Sequence, residues 1–234
     1  MRREFVRNQR HERNGQGDAV LGTGEVGQRL AGKLVSVGHE VVMGSRTADN
    51  ASAARWASET GGGHGTFADA AASAELVVNA TGGLVSLAAL EAAGADNLRG
   101  KTVVDVSNAL DFSEGFPPRV VTPDGHSVAE QLQKAFPEAR IVKTLNTMNN
   151  AVMVEPGRVP GHHTVFVSGD DAGAKAGTTA LLRSFGWAPA QIIDLGDLSS
   201  ARATEALMAL WLRLYGVLGP VDFNLSVVTA PAVS

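Results

Sequence analysis

Three spaced glycines constrain this chain more than any other feature: Gly22-Thr23-Gly24-Glu25-Val26-Gly27. The run follows a short apolar stretch at 18–21 and opens a segment in which Val26, Leu30, Leu34 and Val37 recur at three- and four-residue steps. That period marks a helix with one buried face, and Gly38 stands where such a helix would end. A strand that turns through glycines into a helix has a separate use for each of them. Gly22 permits the tight turn, Gly24 lets a pyrophosphate approach the backbone, and Gly27 lets the helix lie close against the strand. The free N–H groups and positive dipole end of the helix then face the phosphates. The motif predicts a dinucleotide site at the first βα turn.

The rest of the chain repeats the alternation. Strands are expected at 18–21, 40–43, 64–66, 76–80, 102–106 and 140–145, with helices at 26–37, 51–59, 67–72, 86–93 and 127–136. Continuous apolar strands separated by helices indicate a parallel sheet covered on both faces. The expected fold class is α/β, a Rossmann-type doubly wound parallel sheet. Beyond residue 150 come a strand at 163–167, a helix at 172–185, a strand at 192–195, a helix at 201–218 and a strand-like run at 223–228. They read as a small C-terminal α/β extension. The 201–218 helix carries Leu207, Met208, Leu210, Trp211, Leu212 and Leu214 around most of its circumference. Such a helix suits a homodimer interface, and equally a fully buried place within one chain.

Composition removes several functions. A formal charge of −4 argues against a nucleic-acid partner, and no run of 18 apolar residues exists to span a membrane. With no cysteine there is no thiol nucleophile, disulfide or Cys-ligated metal, which is compatible with the cytoplasm, the expected location. Arg2, Arg3, Arg7, Arg10 and Arg13 lie in a polar stretch without the apolar core of a signal peptide. Residues 1–16 are therefore expected to be a disordered extension.

The end of the second strand selects the nucleotide. An NAD site places Asp or Glu there, about twenty residues beyond the first glycine, to bond the ribose 2′-hydroxyl. Met43, Gly44 and Ser45 supply no acid, and Ser45-Arg46 follow instead. A serine hydroxyl can bond a 2′-phosphate, and arginine can pair with it bidentately and stack on adenine. The cofactor expected is NADP(H).

A proton-transfer group is harder to find. The only tyrosine, Tyr215, has no lysine nearby. His162 and His163 read as a solvated loop pair, and His64, His126 and Asp124 as isolated turn residues. No catalytic residue and no metal ligand is assigned. Hydride transfer between two stacked rings needs proximity and orientation more than a protein acid, so a redox-active small molecule is the expected acceptor. A non-enzymatic NADP(H)-sensing regulatory module is the alternative from another class.

Gly22-Thr23-Gly24 followed by Gly38-His39-Glu40-Val41-Val42-Met43-Gly44-Ser45-Arg46 resembles the coenzyme F420-dependent NADP oxidoreductase family. So do Val142-Lys143-Thr144-Leu145-Asn146-Thr147-Met148-Asn149 and the tail from Asp194-Leu195-Gly196-Asp197-Leu198 through Ala201-Arg202 to Phe223-Asn224-Leu225. The resemblance covers about residues 19–228. It implies a hydride moved between NADPH C4 and C5 of the deazaflavin F420, or a related flavin-like acceptor, in a cleft beside the C-terminal part. Carried over by position, NADP would contact Gly22, Thr23, Gly24, Glu25, Val26, Gly27, Ser45 and Arg46. Its nicotinamide side would lie by Ala80, Thr81, Gly82, Val106, Ser107, Asn108 and Thr147. The deazaflavin would meet Thr147, Met148 and Asn149 and the helix holding Arg202 and Trp211, although Trp211 and Met208 also read as core. On this basis 17–150 is the NADP-binding domain and 151–234 a cap completing the acceptor site. Thr81-Gly82-Gly83, Asp105-Val106-Ser107-Asn108-Ala109 and the glycine-bearing Gly15-Gln16-Gly17 depart from the family pattern.

Overall fold

The computed structural model describes residues 17–121 and 125–230. The arginine-bearing extension at 1–16, with Gly15 and Gln16, and the candidate Asp124 lie outside the described residues. The first half alternates strictly: β1 (Gly17–Leu21), α1 (Glu25–Ser36), β2 (Val41–Ser45), α2 (Ala51–Thr60), β3 (Gly63–Thr66), α3 (Phe67–Ala72) and β4 (Ala74–Asn79). Then follow α4 (Gly83–Ala93), a short α5 (Ala95–Leu98), β5 (Thr102–Asp105), a two-residue hairpin of β6 (Leu110–Asp111) and β7 (Arg119–Val120), α6 (Val128–Ala135) and β8 (Arg140–Thr144). The last part holds α7 (Asn150–Val154), β9 (Val165–Gly169), α8 (Ala172–Phe185), β10 (Ile192–Asp194) and α9 (Ala201–Leu218).

Eight strands form one sheet in the order β10-β9-β8-β5-β4-β1-β2-β3. All neighbours pair in parallel except β8 with β9, which are antiparallel. The chain runs outward from β1 to β3, then returns to β4 on the other side of β1. Strand order therefore reverses between β1 and β4, and open α/β sheets bind ligands in the crevice at such a reversal, outside the strands' carboxyl ends. The C-terminal part continues the same sheet through β9 and β10.

Neighbouring strand residues divide between two cores, because side chains alternate across a pleated strand. Val20, Val78, Val104 and Val142 enter one, with Leu30 and Leu34 of α1, Trp56 of α2 and Phe185 of α8. Ala19, Val77, Val103 and Ile141 enter the other, with Phe67 of α3, Leu90 of α4 and Leu132 of α6. Helix starts are pinned by side chains. Thr66 with Asp69 and Ser127 with Glu130 form reciprocal capping boxes at α3 and α6.

The run 223–228 is not a strand, contrary to expectation. It lies along Thr164, just ahead of β9, but side chains take ladder bonds: Asn224 Nδ2 donates to the Thr164 carbonyl, and Val227 N to Thr164 Oγ1. Only Thr164 N reaches a backbone acceptor there, the Leu225 carbonyl at 2.9 Å. Strand β9 begins at Val165, where its pairing with Ile192 of β10 starts, rather than at His163. His163 is a core residue and not half of a solvated pair. Its Nδ1 accepts from Asn224 Nδ2 at 2.9 Å, so Nε2 carries the proton and donates to the Pro156 carbonyl at 3.0 Å, while the ring meets Trp187 edge-on. Among the described residues, no helix is long and apolar enough to cross a membrane.

Candidate functional site

The glycine turn separates what the fold requires from what it leaves open. Gly22 has φ of +119°, and a Cβ there would lie 2.6 Å from the Ala80 carbonyl oxygen. A Cβ on Gly27 would lie 2.1 Å from the Gly22 carbonyl oxygen. Both positions are glycine because β1, α1 and the end of β4 touch there. Gly24 differs: its φ of −76° suits any residue, and a Cβ would meet nothing within 4 Å. It caps α1 without a side-chain hydrogen bond, so the first-turn N–H groups of α1 look into open space. That is the geometry of a phosphate cradle. Nearby, Gln28 Nε2 closes the turn by donating to the Thr23 carbonyl, and Asn150 Nδ2 donates to the Glu25 carboxylate.

At the end of β2, Ser45 and Arg46 face differently. Ser45 is buried, and its hydroxyl donates to the Thr47 carbonyl at 2.5 Å; only its oxygen lone pairs remain to receive a ligand. Arg46 is exposed.

The carboxyl ends of β4, β5 and β8 are locked by a buried polar network. Asn79 Nδ2 donates to Asp105 Oδ1 at 2.7 Å, and its Oδ1 accepts from Thr81 Oγ1 at 2.7 Å. Lys143, 1% exposed, places Nζ 2.8 Å from Asp105 Oδ2, 2.8 Å from Glu205 Oε1 and 2.5 Å from the Ser107 carbonyl. Burial alone would push the ammonium down, but the two carboxylates overcome it and hold Lys143 above its ordinary value. Glu205, on α9, also accepts from the backbone N–H groups of Val128 and Ala129 at the start of α6. Beyond β8, Leu145 takes a φ of +61°, a costly conformation for a branched residue. It turns the chain so that Asn146 pairs with Asn108 at 2.8 and 3.0 Å.

These loop ends line a cleft of about 570 Å³. It gathers Glu25, Val26, Ala80, Thr81, Gly82, Val106, Ser107, Asn108, Met148 and Asn149 from the residues expected at the site. Thr147 is buried in the same turn and does not line it, and Gly22, Thr23, Gly24, Gly27, Ser45 and Arg46 also lie outside the lining, along the β1–α1 turn and the β2 end. The helix expected on the acceptor face lines the cleft through Met208, Trp211 and Tyr215, while Arg202 at its start lies outside the lining. Its guanidinium is held by Glu130 at 2.6 Å, and the pairing holds that carboxyl down to about 2.

Sequence reasoning missed most of the opposite wall. Phe116, Met153 and Tyr215 line the cleft with Met208 and Trp211. Trp211 stacks on Tyr215 and on Phe223, with ring centroids 5.2 and 5.4 Å away, and Phe116 meets Tyr215 edge-on. The signal was the i,i+4 spacing of Trp211 and Tyr215, which puts both rings on one face of α9. Lys143 carried its own signal, a charge inside an apolar strand flanked by Val142 and Thr144.

The model of the family described as NADP oxidoreductase, coenzyme F420-dependent, matches residues 19–109. A crystal structure of a candidate F420-dependent NADP-reductase from an Arthrobacter species is 50% identical, with a TM-score of 0.85 over 92% of this chain and 100% of that one. The F420-dependent NADP reductase of Methanocaldococcus jannaschii is 29% identical over 207 residues, covering 84% of this chain and 91% of the relative. Metalloreductase STEAP3 of Rattus norvegicus is 32% identical over 80% of this chain, which spans only 35% of that curated relative's length. With the parallel sheet, the glycine turn and a relative matched over its whole length, the chain belongs to the F420-dependent NADP oxidoreductase family.

Proposed function

We propose that this chain transfers a hydride between NADPH and coenzyme F420 or a related flavin-like acceptor, with the two rings meeting in the cleft. The observation that carries the reading is the chemistry of the lining. Among the described residues that form it, only Glu25 and Tyr215 are titratable, and one wall is aromatic and thioether. Reduction of a carbonyl or imine calls for a positioned acid, whereas ring-to-ring transfer asks the protein for proximity and orientation. Bound NADPH supplies the hydride; with a solvent proton, it leaves NADP⁺ and the two-electron-reduced acceptor.

The residues present fit NADP(H), since a Cβ on Gly24 would enter the open cradle before α1. Gly22, Thr23, Gly24, Glu25, Val26 and Gly27 would hold the pyrophosphate, with Arg46 at the 2′-phosphate and Ser45 joining it only by turning its hydroxyl away from the Thr47 carbonyl. Ala80, Thr81, Gly82, Val106, Ser107 and Asn108 would hold the nicotinamide end. Met148 and Asn149, backed by Thr147, would meet the acceptor against α9. In this reading 17–150 binds the nucleotide and 151–234 completes the acceptor side. Val26, Met148, Met153 and Met208 exclude water from the space between the rings. Exposed Leu210, Val217 and Leu218 on α9 support a homodimer, and we assign the protein to the cytoplasm.

Anaerobic NADPH oxidation with F420, FMN and a benzoquinone as separate acceptors tests this reading. Turnover with a deazaflavin or flavin is expected. Oxidation by the quinone alone would overturn the flavin-like assignment.

A further inference from the structure

Of the buried side-chain polar atoms left without a hydrogen-bond partner among the described residues, three belong to cleft-lining residues: Ser107 Oγ, Asn149 Oδ1 and Trp211 Nε1. Such groups are rare, and each costs stability until something pairs with it. Ser107 is fixed through its backbone, with N donating to Asp105 Oδ1 and its carbonyl accepting from Lys143; on the reading above it belongs to the nicotinamide side. On the same reading, the other two belong to residues of the acceptor side. Asn149 Nδ2 donates to Asp222, so the amide is oriented and its carbonyl oxygen is left over. Trp211 has its ring stacked on Tyr215 and Phe223, and the indole N–H is left over.

We propose that Asn149 Oδ1 and Trp211 Nε1–H read a cyclic imide edge on the acceptor, its N–H and an adjacent C=O. Resting on the flavin-like reading above, this names the part of the acceptor that determines specificity. One protein acceptor and one protein donor are complementary to an imide's adjacent donor and acceptor. A quinone has no N–H to offer Asn149. A carboxylate has none either, and it would enter a cleft whose described lining contains no Lys, Arg or His. The pyrimidinedione ring of a flavin or deazaflavin carries this edge, uncharged, on a planar ring that can lie along the aromatic wall.

The test uses 5-deazariboflavin and its 3-methyl derivative, in which the imide N–H is replaced by N–CH₃, as acceptors with NADPH. The wild-type chain should show a KM for the methylated compound higher by about 10-fold or more, since a hydrogen bond is lost and Asn149 stays unpaired. Asn149→Ala should remove that discrimination. Trp211→Phe keeps the stacked ring and deletes the N–H. It should raise KM for the parent acceptor by roughly 5- to 10-fold, leave NADPH affinity unchanged and not lower the melting temperature of the free protein. A merely structural tryptophan would lower melting without moving KM. Equal use of the two acceptors by wild type, or an unchanged KM in Trp211→Phe, overturns the proposal while the flavin-like reading stands. If wild type neither binds nor reduces any flavin or deazaflavin, that reading falls and takes this one with it.

Discussion

Replacing Lys143 with methionine tests the buried network that joins the strand ends to α9. Methionine fills a similar volume with a flexible apolar chain, so the change is electrical more than steric. It leaves Asp105 and Glu205 facing each other without the ammonium that stands 2.8 Å from each, and it frees the Ser107 carbonyl. Removing one partner of a fully buried ion pair costs about 3–5 kcal/mol, because an uncompensated charge stays behind. For a chain of this length each kcal/mol moves the melting temperature by roughly 2–4 °C, so a drop of about 6–20 °C is expected at pH 7. Thermal melting and urea denaturation measure it. The triple variant Lys143→Met, Asp105→Asn, Glu205→Gln removes the stranded charges and should recover part of the loss, since neutral replacements of buried ion pairs are often tolerated. A single variant within about 1 kcal/mol of wild type would refute the reasoning, because the ammonium would then not be holding the two carboxylates.

Arg46→Ala should weaken NADPH by about 10- to 100-fold, the loss of a charge-assisted bond to the 2′-phosphate, with NADH affinity unchanged; titration calorimetry with both nucleotides checks it. Gly27→Ala and Gly24→Ala should separate fold from ligand. The first drives a Cβ to 2.1 Å from the Gly22 carbonyl oxygen and should destabilise by about 1–3 kcal/mol or more. The second should leave melting unchanged and lose NADPH affinity, because its Cβ meets only the open cradle. Glu130→Gln removes the charge that Arg202 holds down to about 2 from an ordinary value of 4.5. A depressed carboxyl contributes stability above its unfolded value and loses it as pH falls through the folded one. The variant should melt lower by an amount worth about 1 kcal/mol at pH 7, given the half-exposed Arg202, and the difference should vanish as pH approaches 2.

Much of the fold was legible because local and global preferences agree in it. Helices α3, α8 and α9 fall on their expected bounds, and the nucleotide half has its expected alternation. The failures have physical causes. Asn224 and Thr164 use side-chain bonds where a strand would use backbone ones, so an apolar run at 223–228 became an irregular strap. Helix α7 is only five residues long, too short for its period to show. At the site, Gly22 and Gly27 were legible because the close contact of β1, α1 and the end of β4 constrains their spacing. The part of the aromatic wall beyond Trp211 was not, because Phe116 and Phe223 come from segments separate from α9 and meet it only after folding. The direction of Arg202 was not legible, because an exposed arginine turns toward its partner, and Glu130 sits across from it on α6.

The hydride path is the central claim, and isotope transfer tests it most directly. NADPH carrying deuterium on both C4 positions, incubated with the protein and F420 under anaerobic conditions in ordinary water, should deliver one deuterium to C5 of the reduced deazaflavin, detected by mass spectrometry. NADPH oxidised with no deuterium in the deazaflavin would contradict the account.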